Sequence, residues 1–229
     1  MEEQLRYARN LGPISPEEQT LLRSCRVCVV GCGGLGGFLT EYLGRIGVGF
    51  ITVADGDRFD ETNLNRQLLS SEENLGMSKA AEAKKRLEQI NSSIHVEATE
   101  QFLSEENASS ILEGHDLILD ALDSIPHRLM LQQVCRELEI PLIHGAVEGW
   151  FGQVTTVFPG DNSLSRIYPG PSQTVPGGEV PGTLSFVPGL IASLQAAEAV
   201  RLLLGKEPAL RRKVLFADLL ANRFDILSV

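Results

Sequence analysis

The chain of 229 residues is 43% hydrophobic and 22% charged with a formal net charge of −10, the profile of an ordinary globular chain able to bury a sizeable core. That acidity argues against nucleic acid as a main partner. No apolar run approaches the ~18 residues of a membrane-spanning helix, and the opening MEEQLRYARNLG has no apolar signal-peptide core, so a cytoplasmic protein without a membrane partner is expected.

Residues 1–24 read as a helical arm broken at GPIS. Ser15 caps its second part, with Pro16 in the first helical position and Glu18 completing a capping box. Residues 26–31 read as a strand, 34–46 as a helix stopped by GVG, and FITVAD as a second strand. GMSKAAEAKKRLEQIN is helical, HVEATEQ extended, and SEENASSILEG helical with Ser104 as its cap. HDLILDALD is a strand whose carboxyl end carries acids, and the helix IPHRLMLQQVCRELE leads to the strand PLIHGAV. The alternation predicts an α/β fold: a Rossmann-like, doubly wound, mostly parallel sheet with helices on both faces.

After Val147 the pattern changes. WFGQVTTVF suits a strand paired antiparallel, and residues 159–189 form a long Pro/Gly-rich loop of the kind that is functional or mobile. LIASLQAAEAVRLLLG is a strongly apolar helix, and KVLFADLLANRFDILSV two strands joined by a turn. The expected organisation is a single domain over 1–229: the arm 1–24, a nucleotide-binding half 25–147, and an antiparallel extension 148–229 in the C-terminal third.

Cys25 and Cys28 have the spacing of a zinc or redox pair, but a strand's period of two sends positions three apart to opposite faces, and no second pair completes a four-thiolate site. They read, with Cys32 and Cys135, as small buried hydrophobes of a reducing compartment.

GCGGLGG places Gly31, Gly33 and Gly36 in the Gly-x-Gly-x-x-Gly pattern between a strand and a helix. Such a loop lets the backbone approach phosphates while the helix start offers free N–H groups. Asp55, 19 residues after Gly36, suits ribose hydroxyls. All of this serves NAD and ATP alike, and a turn that only packs a helix on a strand would look the same. Cations separate the two. Attack on the α-phosphate of ATP builds charge that positioned Arg and Lys stabilise, with Mg²⁺ held by a carboxylate. Arg66 and Lys79 are candidate cations and Asp123 a candidate magnesium ligand, although the first two also read as solvated surface charges and Asp123 as a helix cap. His144, among apolar residues, reads as a core or rim histidine without chemistry.

RYARN, GCGGLGG, ADGDRFDETNLNRQ, GMSKA, LDALDS, PLIHGAVEGWFGQVTTVFPG and GLIASLQAAEAVRLLLG follow one another over nearly the whole chain. In this the sequence resembles the ThiF/MoeB/HesA family of adenylating enzymes, relatives of the ubiquitin-activating enzymes. The resemblance implies an ATP-dependent adenylyltransferase that activates the terminal carboxylate of a small ubiquitin-like sulfur-carrier protein ending in Gly-Gly. The product is an acyl-adenylate, and pyrophosphate is released. It implies that Gly31, Gly33, Gly34 and Gly36 line the nucleotide loop and that Asp55 holds the ribose. Asn63, Arg66 and Lys79 would hold the phosphates, with Asp57 and Gln67 also at the nucleotide, and Asp123 the magnesium. Arg9 would reach into the neighbouring subunit of a homodimer. The chain departs from many relatives in lacking two zinc-binding Cys-x-x-Cys pairs and a cysteine in the loop before the apolar helix, so no zinc is expected, and the reaction is expected to stop at the acyl-adenylate. Other readings are an NAD-dependent oxidoreductase on the same fold, an adenylating enzyme acting on a small-molecule or tRNA-borne carboxylate, and a binding module that has lost catalysis.

Overall fold

The β-branched and apolar runs of the first half form short strands: β1 (Arg26–Val30), β2 (Phe50–Ala54), β3 (His95–Thr99), β4 (Leu117–Asp120) and β5 (Leu142–Glu148). β6 (Phe151–Val157), β7 (Lys213–Asp218) and β8 (Arg223–Ser228) follow. The helices are α1 (Pro16–Ser24), α2 (Gly34–Ile46), α3 (Lys79–Ile90), α4 (Ala108–Leu112), α5 (Ile125–Glu137), α6 (Ser163–Ile167) and α7 (Phe186–Leu203). The structure, a computed structural model, describes residues 5–169 and 182–229.

All the strands belong to one sheet in the order β3-β2-β1-β4-β5-β6-β7-β8. From β3 to β5 the neighbours run parallel, and from β5 to β8 antiparallel. The order reverses at β1: the chain moves out to β2 and β3, then crosses back to β4 on the other side. In sheets of this kind the crevice beyond the carboxyl ends of the strands at that reversal is where ligands bind. Here it lies between the glycine loop after β1 and the Asp120–Asp123 segment after β4.

Period-two alternation decides the two faces. Val27, Val29, Ile51, Val53, Leu117 and Leu119 meet Leu35, Leu39 and Leu43 of α2, Leu87 of α3 and Ile191 of α7. Cys28, Val30, Ile118 and Leu142 meet Leu112 of α4, Leu131 and Val134 of α5 and Leu164 of α6. Cys25 and Cys28 thus pack in different cores, as their spacing in a strand requires. Helix α7 is apolar and long enough to cross a membrane, a length the uninterrupted apolar runs of the sequence do not show, but it lies against β5, β6 and α2 with half of its surface buried in the fold.

The capping box at Ser15 forms: Ser15 Oγ accepts from Glu18 N at 3.2 Å, and Glu18 Oε2 accepts from Ser15 N at 2.7 Å. Other expectations are corrected. Residues 7–10 form turns rather than helix, because Tyr7 is buried under Gly47, and its hydroxyl accepts from Asn91 Nδ2 at 2.8 Å. Ser104 does not cap α4: the Asn107 side chain accepts from Ser104 N at 2.8 Å, closing a turn that delays the helix to Ala108. Asp123 does not cap α5 either, since Ser124 occupies that position and makes no side-chain cap bond. The 159–189 segment contains α6 and the start of α7, and its residues 170–181 lie outside those described.

Candidate active site

At the reversal of the strand order lies an open cavity of about 880 Å³. Gly31, Gly33, Gly34, Asp55, Asp57, Arg66, Gln67, Lys79 and Asp123 line it, so most of the residues singled out by sequence converge. Two glycines make the loop possible. Gly31 has φ of +96°, and a Cβ there would lie 2.7 Å from Ala121 O; a Cβ on Gly36 would lie 1.8 Å from Gly31 O. Gly36 is therefore a packing residue beneath the loop, while Gly33 and Gly34 face the cavity.

Asp55 ties the loop to β2. Its Oδ2 accepts from Cys32 N at 2.7 Å and its Oδ1 from Asp57 N at 2.8 Å. Lys79 stands in the first turn of α3 after the cap Ser78, and its side chain is 7% exposed. Its Nζ donates to Asp57 Oδ2 at 2.9 Å, while Asp57 itself is open to solvent. Arg66 has no carboxylate partner among the described residues. Its Nη1 donates to Thr62 O and Asn65 Oδ1, both at 2.9 Å, which aims a free cation along the cavity wall.

Asn63 is not at the wall. It is buried, its Nδ2 donates to Asp60 Oδ1 at 3.1 Å, and its Oδ1 accepts from Asp60 N at 3.2 Å. Its backbone O accepts from Arg66 N and Gln67 N, so it shapes the turn that presents both. Gln67 Oε1 is buried beside Gly33 with no hydrogen-bond partner among the described residues, as expected where a ligand or its water completes the site. Asp123 is exposed at the rim. Magnesium keeps several waters and takes one or two carboxylates plus phosphate oxygens, so a lone Asp123 fits it; no group of three or more His, Cys, Asp and Glu among the described residues would hold a metal alone. Arg9 is exposed and lies outside its own chain's cavity.

Sequence reasoning missed Arg128, Gln153, Tyr168, Phe151 and Phe216, which also line the cavity. Phe151 and Phe216 stack with centroids 5.8 Å apart. Behind Tyr168 the fully buried His144 bonds Asp120 Oδ2 through Nδ1 at 2.6 Å and the Tyr168 hydroxyl through Nε2 at 3.0 Å. Burial raises the Tyr168 phenol above its ordinary value, so it is neutral. The signal was present: β4 and β5 pair with Asp120 beside His144, two polar residues in adjacent apolar strands.

The four cysteines are buried and free. Burial pushes the Cys25 thiol up to about 11 and the Cys28 thiol to about 12, and it raises Cys32 and Cys135 further.

A parallel sheet that reverses at a glycine loop, with two cations and an exposed carboxylate around its crevice, defines a nucleotide-binding α/β enzyme. The ThiF family model matches residues 7–229, and the chain belongs to the ThiF family. It is an adenylyltransferase. It is 36% identical to the SAMP-activating enzyme E1 of Haloferax volcanii, with 96% of this chain and 83% of that protein covered. It is 37% identical to the sulfur carrier protein adenylyltransferase of Thermus thermophilus, with 100% and 88% covered. Some other relatives are longer, and the chain spans about half of their length. Among solved structures, E. coli MccB with succinimide has a TM-score of 0.88 at 22% identity, covering 100% of this chain and 71% of that one, a likeness of fold.

Proposed function

We propose that the protein activates the C-terminal Gly-Gly carboxylate of a small ubiquitin-like sulfur-carrier protein, using ATP, for sulfur transfer in cofactor or cysteine biosynthesis. The observation that carries this reading is the convergence of Arg66, Lys79 and Asp123 on the cavity of the glycine loop. Hydride transfer to a dinucleotide builds no new charge on phosphorus and has little use for two such cations.

In this reading the triphosphate lies along Gly33 and Gly34, with Asp55 and Asp57 toward the ribose. Gln67 Oε1 gains its missing partner there. A carboxylate oxygen of the carrier attacks the α-phosphorus and the bond to the β-phosphate oxygen breaks. The electron pair leaves with pyrophosphate, and the acyl-adenylate remains. Arg66 and Lys79 stabilise the charge that builds up, and donors of this kind are worth about 3–4 kcal/mol each in comparable sites. Magnesium held by Asp123 and phosphate oxygens would neutralise charge on the triphosphate. Asn63 acts on the phosphates through the turn that carries Arg66. Arg9, exposed and outside its own cavity, suits a role in the partner subunit of a homodimer. With all the thiols buried, the acyl group passes to another molecule rather than to a cysteine of this chain. A thiol-sensitive carrier adduct on Cys135 would refute that last step.

The test is calorimetry with Mg·ATP, NAD⁺ and NADH on the wild type and on Arg66→Ala. Mg·ATP is expected to bind and to weaken at least tenfold in the variant. Binding of NAD⁺ or NADH with indifference to ATP would leave only the fold in common with adenylating enzymes.

A further inference from the structure

Arg128, in the first turn of α5, is 8% exposed and lines the cavity. Its Nε and Nη2 donate to Leu122 O at 3.0 and 2.7 Å, and its Nη1 donates to the Tyr168 hydroxyl at 3.2 Å. Those acceptors are neutral, and no carboxylate among the described residues pairs with the guanidinium. A buried cation of this kind is costly unless an anion meets it. Five N–H groups less three bonds leave two donors for that anion.

The acceptor on Tyr168 is itself fixed. Gln153 Nε2 and Arg128 Nη1 both donate to the Tyr168 hydroxyl, so the phenol proton points to His144 Nε2 at 3.0 Å, and the other ring nitrogen, Nδ1, faces Asp120 Oδ2 at 2.6 Å. The phenol oxygen then turns its lone pairs to Gln153 Nε2 at 2.6 Å and to Arg128. Asp120 Oδ1 accepts from Leu122 N at 2.9 Å, so the same carboxylate anchors the residue whose carbonyl holds Arg128. Leu122 also abuts the glycine loop: a Cβ on Gly31 would lie 3.4 Å from its nitrogen. The guanidinium therefore stands one residue from the phosphate-binding loop, with no carboxylate bonded to it among the described residues and its orientation fixed by three hydrogen bonds.

Resting on the function proposed above, we propose that Arg128 receives the terminal carboxylate of the incoming carrier tail beside the α-phosphate, and that Tyr168, His144 and Asp120 are positioning residues that hold Arg128 for that task. The free donors suit a two-point grip on a carboxylate, with Gln153 and the Phe151–Phe216 pair along the tail's approach.

The test loads the enzyme with Mg²⁺ and a non-hydrolysable ATP analogue, then titrates a decapeptide ending in Gly-Gly as its free acid and as its C-terminal amide. The wild type is expected to bind the acid at least about tenfold more tightly, the scale of a charge-assisted hydrogen bond. Arg128→Gln is expected to bring acid and amide within about twofold while its affinity for the analogue stays within about threefold. Tyr168→Phe, which keeps the guanidinium and loses its acceptor, is expected to lower the acid preference about threefold. An acid preference that survives Arg128→Gln, or a wild type that does not tell acid from amide, overturns the proposal. So does an Arg128→Gln variant whose nucleotide affinity falls instead, because the cation then serves the phosphates. Should Arg128→Gln fail to fold, an unchanged preference in Tyr168→Phe overturns it. A wild type that binds no Mg·nucleotide would sink the adenylation reading itself, which separates the two failures.

Discussion

A single methyl group at Gly36 tests how the glycine loop is built. The Cβ of Gly36→Ala would sit 1.8 Å from Gly31 O and 2.7 Å from Gly31 C, where contacts under 3.0 Å do not occur. Relief requires a shift of about 1.2 Å, the difference between 3.0 and 1.8 Å. The obstacle is backbone, and Gly31 N is already held by Ala54 O at 2.8 Å, so no side chain can swing aside. Overpacking of this kind costs about 1–3 kcal/mol, which for a chain of this size lowers Tm by roughly 2–12 °C. A displacement of about 1 Å in a reacting site costs on the order of a hundredfold in rate. Gly33→Ala is the control, because its Cβ meets nothing nearer than Gln67 Nε2 at 3.6 Å. It should keep the wild-type Tm within about 1 °C and still lose Mg·ATP affinity, since its methyl group enters the cavity. The assays are calorimetric melting and nucleotide titration on both variants. A Gly36→Ala protein with unchanged Tm and unchanged affinity would refute the close packing of loop on helix.

Three further outcomes are expected. Asp161, whose side chain is 4% exposed, takes Arg212 Nε at 2.9 Å and Arg211 Nε at 3.1 Å, and it ties the segment after β6 to the start of β7. Burial works against its ionised form, but the hydrogen bonds from Arg212 and Arg211 outweigh it and hold the carboxyl below its usual range. Its contribution is therefore present above the unfolded value near pH 4 and lost as pH falls through the lower folded value. With the arginines partly exposed, Asp161→Asn should cost about 1–2 kcal/mol at pH 7, a gap from the wild type that narrows below about pH 4; a gap that widens with acid would overturn the assignment. Asn63→Ala should cost about 1 kcal/mol through the lost turn cap, read as a lowered Tm; lost nucleotide affinity at an unchanged Tm would put Asn63 on the phosphates directly. At pH 8 the folded protein should show no fast thiol towards a disulfide reagent, because a pKa of about 12 leaves about 10⁻⁴ of Cys28 as thiolate, and all four should react once denatured. A rapid native-state thiol would contradict the burial.

Much of the fold was legible because local pattern and tertiary structure agree. Period two places Val27 and Val29 in one core and Cys28 and Val30 in the other, and this exposes the Cys25–Cys28 spacing as coincidence. The antiparallel end was legible in WFGQVTTVF and in the final hairpin. Local competition hid other features. Asn107 draws the Ser104 backbone into a turn, so the cap signal at Ser104 never starts a helix. Asp123 loses the cap position because Asp120 Oδ1 pulls Leu122 N inward and sets the register of the segment that follows. At the site, the motif residues were visible because each lies in a contiguous stretch whose spacing carries the chemistry. Asp120, His144 and Tyr168 are instead 24 residues apart at each step and meet only through the β4–β5 register and the helix α6, which ends at Tyr168. Read singly, His144 is a core histidine. Read against its strand neighbour, it is half of a buried polar pair that an apolar core would have no reason to keep. Polar residues at the carboxyl edge of a parallel sheet should therefore be judged as cross-strand pairs, since the register that unites them also aims them at the crevice.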